Sequence, residues 1–181
     1  QPPTPTAFTV PPVQEPAVSP RPWWELRGTS EVAELIGHGA HEDPDHEPAY
    51  RVTIDAPTAV AGAPDGGAFV LQLETRETGA GRESERYVMR LGPDGRERWR
   101  ATIPEGSWQW EVLPFAGGVV AKPAGGREMH VISATGDLLA SPEVQIGSEE
   151  GGSLELAAHG DVLVAAHAHG VVRLSGDGEK L

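Results

Sequence analysis

The chain has 181 residues, 38% of them hydrophobic and 23% charged, enough for one domain with a real core. Its formal net charge of −13 repels phosphate backbones and argues against nucleic acid as a partner. The absence of cysteine excludes disulfides, thiolate nucleophiles and Cys-type zinc sites. No run of about 18 apolar residues is present to span a membrane as a helix.

Residues 1–22 hold eight prolines among Thr, Val and Gln. Proline fixes φ and supplies no amide donor, so an extended, polyproline-like strap is expected here. It reads as a linker, or as a spacer that lifts the domain away from an envelope or a partner. Trp23 and Trp24 end it and are expected to pin it to the domain, since two exposed indoles would be costly. A Pro/Thr-rich segment opening on Gln1 suits the mature form of an exported protein, which sets an extracytoplasmic expectation: periplasm, cell surface or secreted. The acidic balance agrees with solubility in an open environment.

From residue 23 to 181 the pattern is that of a β-repeat domain, short alternating runs between Gly- and Asp-bearing turns. Residues 30–57 read as a half-repeat, followed by repeats at 58–105, 106–147 and 148–181. Gly95, Gly136 and Gly178 mark the same turn at spacings of 41 and 42 residues. On that alignment Leu91, Ile132 and Leu174 coincide, as do Met89, His130 and Val172. The turns GPDG, SATG and SGDG supply the Gly and Asp that tight hairpins need. Upstream, Gly118 and Gly160 lie 18 residues before their turn glycines, whereas Gly67 lies 28 before Gly95. The first full repeat therefore carries a ten-residue insertion within ETRETGAGRESER, polar and expected to protrude. In the half-repeat, Tyr50 falls on Trp99, Thr53 on Thr102 and Ile54 on Ile103.

Units of about 40 residues with four strands each are the mark of propeller blades. The segments PDGGAFVLQL and MRLGPDGRERW resemble bacterial β-propeller repeat proteins of the quinoprotein-like, or seven-bladed propeller repeat, type. The likeness runs from Glu31 to Leu181 and weakens later, where Ala140 stands in place of the repeat's Trp. It implies an all-β fold of antiparallel, four-stranded, propeller-type repeats. The quinone and metal ligands of true quinoproteins have no counterpart here. About three and a half blades are present where propellers close with about four to eight. The chain is thus part of a larger ring, or is completed by oligomerisation, or closes instead as a small β-barrel or sandwich.

Among candidate sites, HGAHEDPDHEP gathers His38, His41 and His46 with four acids, and HGDVLVAAHAHG places His167 and His169 on one strand face. Imidazole with carboxylate suits Cu or Zn. A copper protein of the superoxide-dismutase type is one enzymatic reading, carried by His167 and His169 alone. A solvated acidic loop is the plainer one. Calcium is a further possibility, but hairpin turns explain Asp65, Asp94 and Asp177 more simply. No serine has an activating context. Trp108 and Trp110 share a strand face and form either a contact platform or packing between sheets.

The sequence therefore points to a non-enzymatic scaffold or protein-interaction module of a bacterial cell envelope. Its expected contact surface is Trp108, Trp110 and the insertion residues Glu77, Arg82 and Arg86. The alternative is an extracytoplasmic copper- or zinc-binding protein using His38, His41, His46, His167 and His169.

Overall fold

The computed structural model describes residues 23–39, 47–79, 81–104, 109–124, 129–140, 155–159, 162–167, 170–176, 179 and 181. Every regular element among them is a strand. The strands form four antiparallel sheets, each a meander of consecutive strands. Sheet 1 holds β1 (Trp23–Gly28), β2 (Val32–His38) and β3 (Tyr50–Asp55). Sheet 2 holds β4 (Pro57–Gly62), β5 (Ala68–Thr78), β6 (Gly81–Leu91) and β7 (Glu97–Ile103). Sheet 3 holds β8 (Trp110–Phe115), β9 (Gly118–Pro123), β10 (His130–Ile132) and β11 (Leu138–Ala140). Sheet 4 holds β12 (Glu155–His159), β13 (Val162–His167) and β14 (Gly170–Leu174).

Among the described residues none of the four sheets closes on itself, so the small-barrel expectation is not met there. The first unit is also larger than a half-repeat. WWELRG forms β1 along the whole of β2, from Trp23 opposite His38 to Gly28 opposite Ala33. The two adjacent indoles hide the alternation that would have announced this strand.

Alternate residues of one strand serve two different cores, because successive side chains leave a sheet on opposite faces. Val70 of β5 and Tyr87, Met89 and Leu91 of β6 pack with Leu35, Tyr50 and Ile54 of sheet 1. Their neighbours Phe69, Leu71 and Val88 pack with Trp110, Val119, Ala121 and Ile132 of sheet 3. Val120 and Val131 of sheet 3 then meet Leu174 and Leu156 of sheet 4. Sheets covered on both faces explain the near-continuous apolar runs AFVLQL and GVVA.

The three turns aligned in the sequence share one backbone bond. Gly92 N–H donates to Arg96 C=O at 2.9 Å, Ser133 N–H to Asp137 C=O at 2.9 Å and Ser175 N–H to Glu179 C=O at 2.8 Å. These are the same turn bond in three successive units. Gly95 (φ 74°) lies under the Tyr50 ring and Gly136 (φ 91°) under the Trp99 ring. Each aromatic sits at the outer strand of one sheet and caps the last turn of the next, which is the Tyr50–Trp99 equivalence in three dimensions. Both turns need a residue that tolerates positive φ and leaves room for a ring.

The ten-residue insertion is a continuous extension of the β5–β6 hairpin. The ladder runs without a break from Ala68 opposite Leu91 to Thr78 opposite Gly81. β4 pairs only as far as Gln72, and β7 only as far as Arg86. Leu73–Thr78 and Gly81–Glu85 therefore form a two-stranded arm reaching about 20 Å past both neighbours, at about 3.3 Å per residue.

Candidate functional site

At the root of the arm lies a cleft of about 840 Å³ between sheets 1 and 2. One wall is Val52–Asp55 of β3, and the floor is Tyr87, Met89 and Leu91 of β6. Gln72–Thr75 and Arg100 complete it. The chain enters sheet 2 from sheet 1 through Ala56 alone, which sits between β3 and β4 at φ 43°. Leu73 N–H donates to Ala56 C=O at 3.4 Å and fastens this joint to the arm.

Arg100 lines the cleft. Its guanidinium lies 4.0 Å from the centroid of the Tyr87 ring. It donates to both carboxylate oxygens of Glu97, at 3.3 and 2.9 Å, and lies 3.8 Å from Glu74. Burial pushes the Tyr87 phenol above its ordinary value even though Arg100 pulls the other way. Glu31, Asp55, Glu74 and Glu97 line the cleft against the single cation Arg100, an excess of three negative charges. Arg76, bonded to Glu74 at 2.7 Å, offsets one of them from outside the lining. The arrangement suits a partly apolar, cationic guest. The sequence marked Thr53, Ile54, Met89, Leu91 and Gly95 as repeat positions but none of these residues as a site, because the cleft is assembled from β3, β5, β6 and β7.

β3 also presents an open edge. Ala56 N–H donates to Glu31 C=O at 2.7 Å, which sets the parity of the β2–β3 ladder. The even-numbered residues of β3 turn their backbone groups toward β2. Arg51, Thr53 and Asp55 turn theirs outward, where no other described strand pairs with them.

The residues marked in the sequence fall in different places. Glu77 is exposed on the arm, opposite Arg82 in the ladder. Arg86 and Trp110 are buried, at 7% and 5% exposure. The Arg86 guanidinium lies 5.1 Å from the Trp110 ring centroid, and Trp110 stacks on His130 at 5.7 Å with 26° between planes. This Arg–Trp–His stack joins sheets 2 and 3. Trp108 lies outside the described residues.

His38 is buried, with Nε2 3.4 Å from Glu25 Oε1. His41, His46 and His169 lie outside the described residues, and His167 is described only as the last residue of β13. Among the described residues, no three His, Asp or Glu side chains converge as a metal site would require.

No family model matches the chain. No curated protein matches it either. Among solved structures it is similar to a crystal structure of a protein of unknown function from Bacteroides caccae, with a TM-score of 0.51 and 15% identity. The match covers 87% of this chain and 55% of that one, so the chain spans little more than half of its structural neighbour. At this identity the likeness shows the fold alone.

Proposed function

We propose that the chain is a non-enzymatic scaffold for protein interaction, and that its four sheets are successive blades of a propeller. Several observations support the architecture. Each sheet is a four-stranded meander, or three strands of one, and turns repeat at 41 and 42 residues with the same bonds. The structural neighbour is longer: 87% of 181 residues is about 157, and 157 residues at 55% coverage makes a chain of about 285. That is room for about seven units of this length, within the range in which propellers close.

The arm carries the functional reading. One repeat alone extends its central hairpin by ten residues, past both neighbouring strands and into solvent. Its residues Glu74, Arg76, Glu77, Glu83 and Glu85 are charged and contribute nothing to the core. A rigid body that projects a regular, charged ribbon is built to be touched. The proline-rich segment 1–22 and the acidic surface fit an extracytoplasmic setting in a bacterial envelope, where such a body would act as a spacer-mounted docking element.

A photo-crosslinking residue at Glu77 tests this. It is expected to capture a protein partner from envelope fractions, while the same residue at Asp137, exposed in the turn after β10, captures none. Equal yields at the two positions, or none at either, would overturn the reading.

A further inference from the structure

We infer that the cleft at the arm root binds an extended, basic segment of a partner protein, added as a strand to the open edge of β3. This rests on the interaction-scaffold reading and names the partner's chemistry. Strand addition needs three things together: unpaired backbone groups on an accessible edge, a surface beside that edge for alternate side chains, and a charge that selects the guest. β3 offers the first through Arg51, Thr53 and Asp55, all exposed. Val52, Ala56 and Leu73, half-buried on the cleft lining, offer the second. The charge of Glu31 and Asp55, in excess of the Glu74–Arg76 and Glu97–Arg100 pairs, supplies the third.

An open edge is a hazard that proteins usually blunt with lysines, prolines or bulges. β3 carries no lysine or proline, and its outward charges are of opposite sign. It has Arg51, already held by Glu34 at 3.2 Å, and then Thr53 and Asp55. The chain's own segment 1–22 is a poor guest, since its eight prolines cannot donate to a ladder.

The probe is a labelled heptapeptide of alternating lysine and valine, titrated into the full chain and read by fluorescence anisotropy. Its comparator is the same peptide N-methylated on alternate backbone amides, which keeps the charge and loses the ladder donors. The comparator is expected to bind at least tenfold more weakly. Thr53→Pro removes an outward-facing N–H without touching the β2–β3 ladder and is expected to weaken the unmodified peptide about tenfold. Asp55→Lys, on an exposed side chain, is expected to weaken it about fivefold.

Equal binding of the two peptides would reduce the effect to bulk charge and overturn the inference. So would unchanged binding to Thr53→Pro with an unchanged circular dichroism spectrum. If Glu77 still captures a partner in either case, the scaffold reading stands while the strand-addition site falls. Self-association in sedimentation velocity that Thr53→Pro abolishes would also overturn it, by making a second copy the occupant.

Discussion

The indole N–H of Trp99 donates to the carbonyl oxygen of Ala134 at 2.8 Å, from the last strand of sheet 2 to the turn of sheet 3. The same ring lies 3.0 Å from where a side chain on Gly136 would begin. One residue thus both bonds and roofs the neighbouring turn. Trp99→Phe keeps the roof and loses the bond, and is expected to cost about 1 kcal/mol. Gly136→Ala meets both the ring and the positive φ, and is expected to cost about 1–3 kcal/mol. Chemical denaturation of the two variants checks the order.

The turn between β4 and β5 is clamped by Arg90, which is 9% exposed. Arg90 Nη2 donates to Asp65 Oδ1 at 2.6 Å and its guanidinium lies 4.8 Å from the Phe69 ring centroid. Burial alone would raise the Asp65 carboxyl. The bonds from Arg90 and from the Gly67 N–H outweigh it and hold the group below its ordinary value. A depressed carboxyl stabilises the fold above its unfolded value of about 3.9 and loses that contribution as pH falls through the folded value. Asp65→Asn is therefore expected to be less stable than the parent at pH 7, by about 1–2 kcal/mol given that Asp65 is half exposed. The gap should narrow below pH 4. Melting curves from pH 7 to 3 measure it.

The stack of Arg86, Trp110 and His130 is structural. Trp110→Ala opens a cavity between sheets 2 and 3 and is expected to cost about 3–5 kcal/mol. Arg86→Ala loses a cation–π contact and a buried stem, for about 1–2 kcal/mol. Glu77→Ala on the exposed arm should stay within about 0.5 kcal/mol of the parent. A reversed order in urea denaturation would show that the stack does not join the sheets.

The arm beyond its neighbours holds no core. Replacing residues 75–84 with Asn-Gly leaves Glu74 opposite Glu85, a pairing already present, across a two-residue turn. Stability is expected to change by less than about 1 kcal/mol, while cross-linking through the arm is lost. A cooperative melt near the parental temperature checks the first half of this expectation.

The copper and zinc alternative has its own test. Stripped protein titrated with either ion is expected to bind no tighter than about 10 micromolar, near −7 kcal/mol. Stoichiometric tight binding lost in His41→Ala and His167→Ala would reinstate the metal reading.

The repeat could be read from the sequence because it is set by local chemistry. Glycines at turns and alternating apolar residues recur wherever the same hairpin recurs, and Gly95, Gly136 and their capping aromatics fell into register at once. The extension of β5 and β6 showed as a spacing of 28 where 18 was the rule. Other features depend on partners that a strand's own periodicity does not record. Arg86, Arg90 and Lys122 look like solvent-facing breaks in an apolar pattern, yet all three are buried. Arg90 meets Asp65 of the β4–β5 turn, and Lys122 meets Glu111 directly across the β8–β9 hairpin at 3.1 Å. The stack on Trp110 and the cleft below the arm both arise between strands far apart in the chain. No periodicity within either strand records such a meeting.

The roofing of the Gly95 and Gly136 turns by rings from the preceding sheet has a mechanical corollary. Every such joint links a unit only to its immediate neighbour, so cooperativity passes along the row one link at a time. A lesion at Tyr50 loosens the first link and leaves the Trp99 link seated.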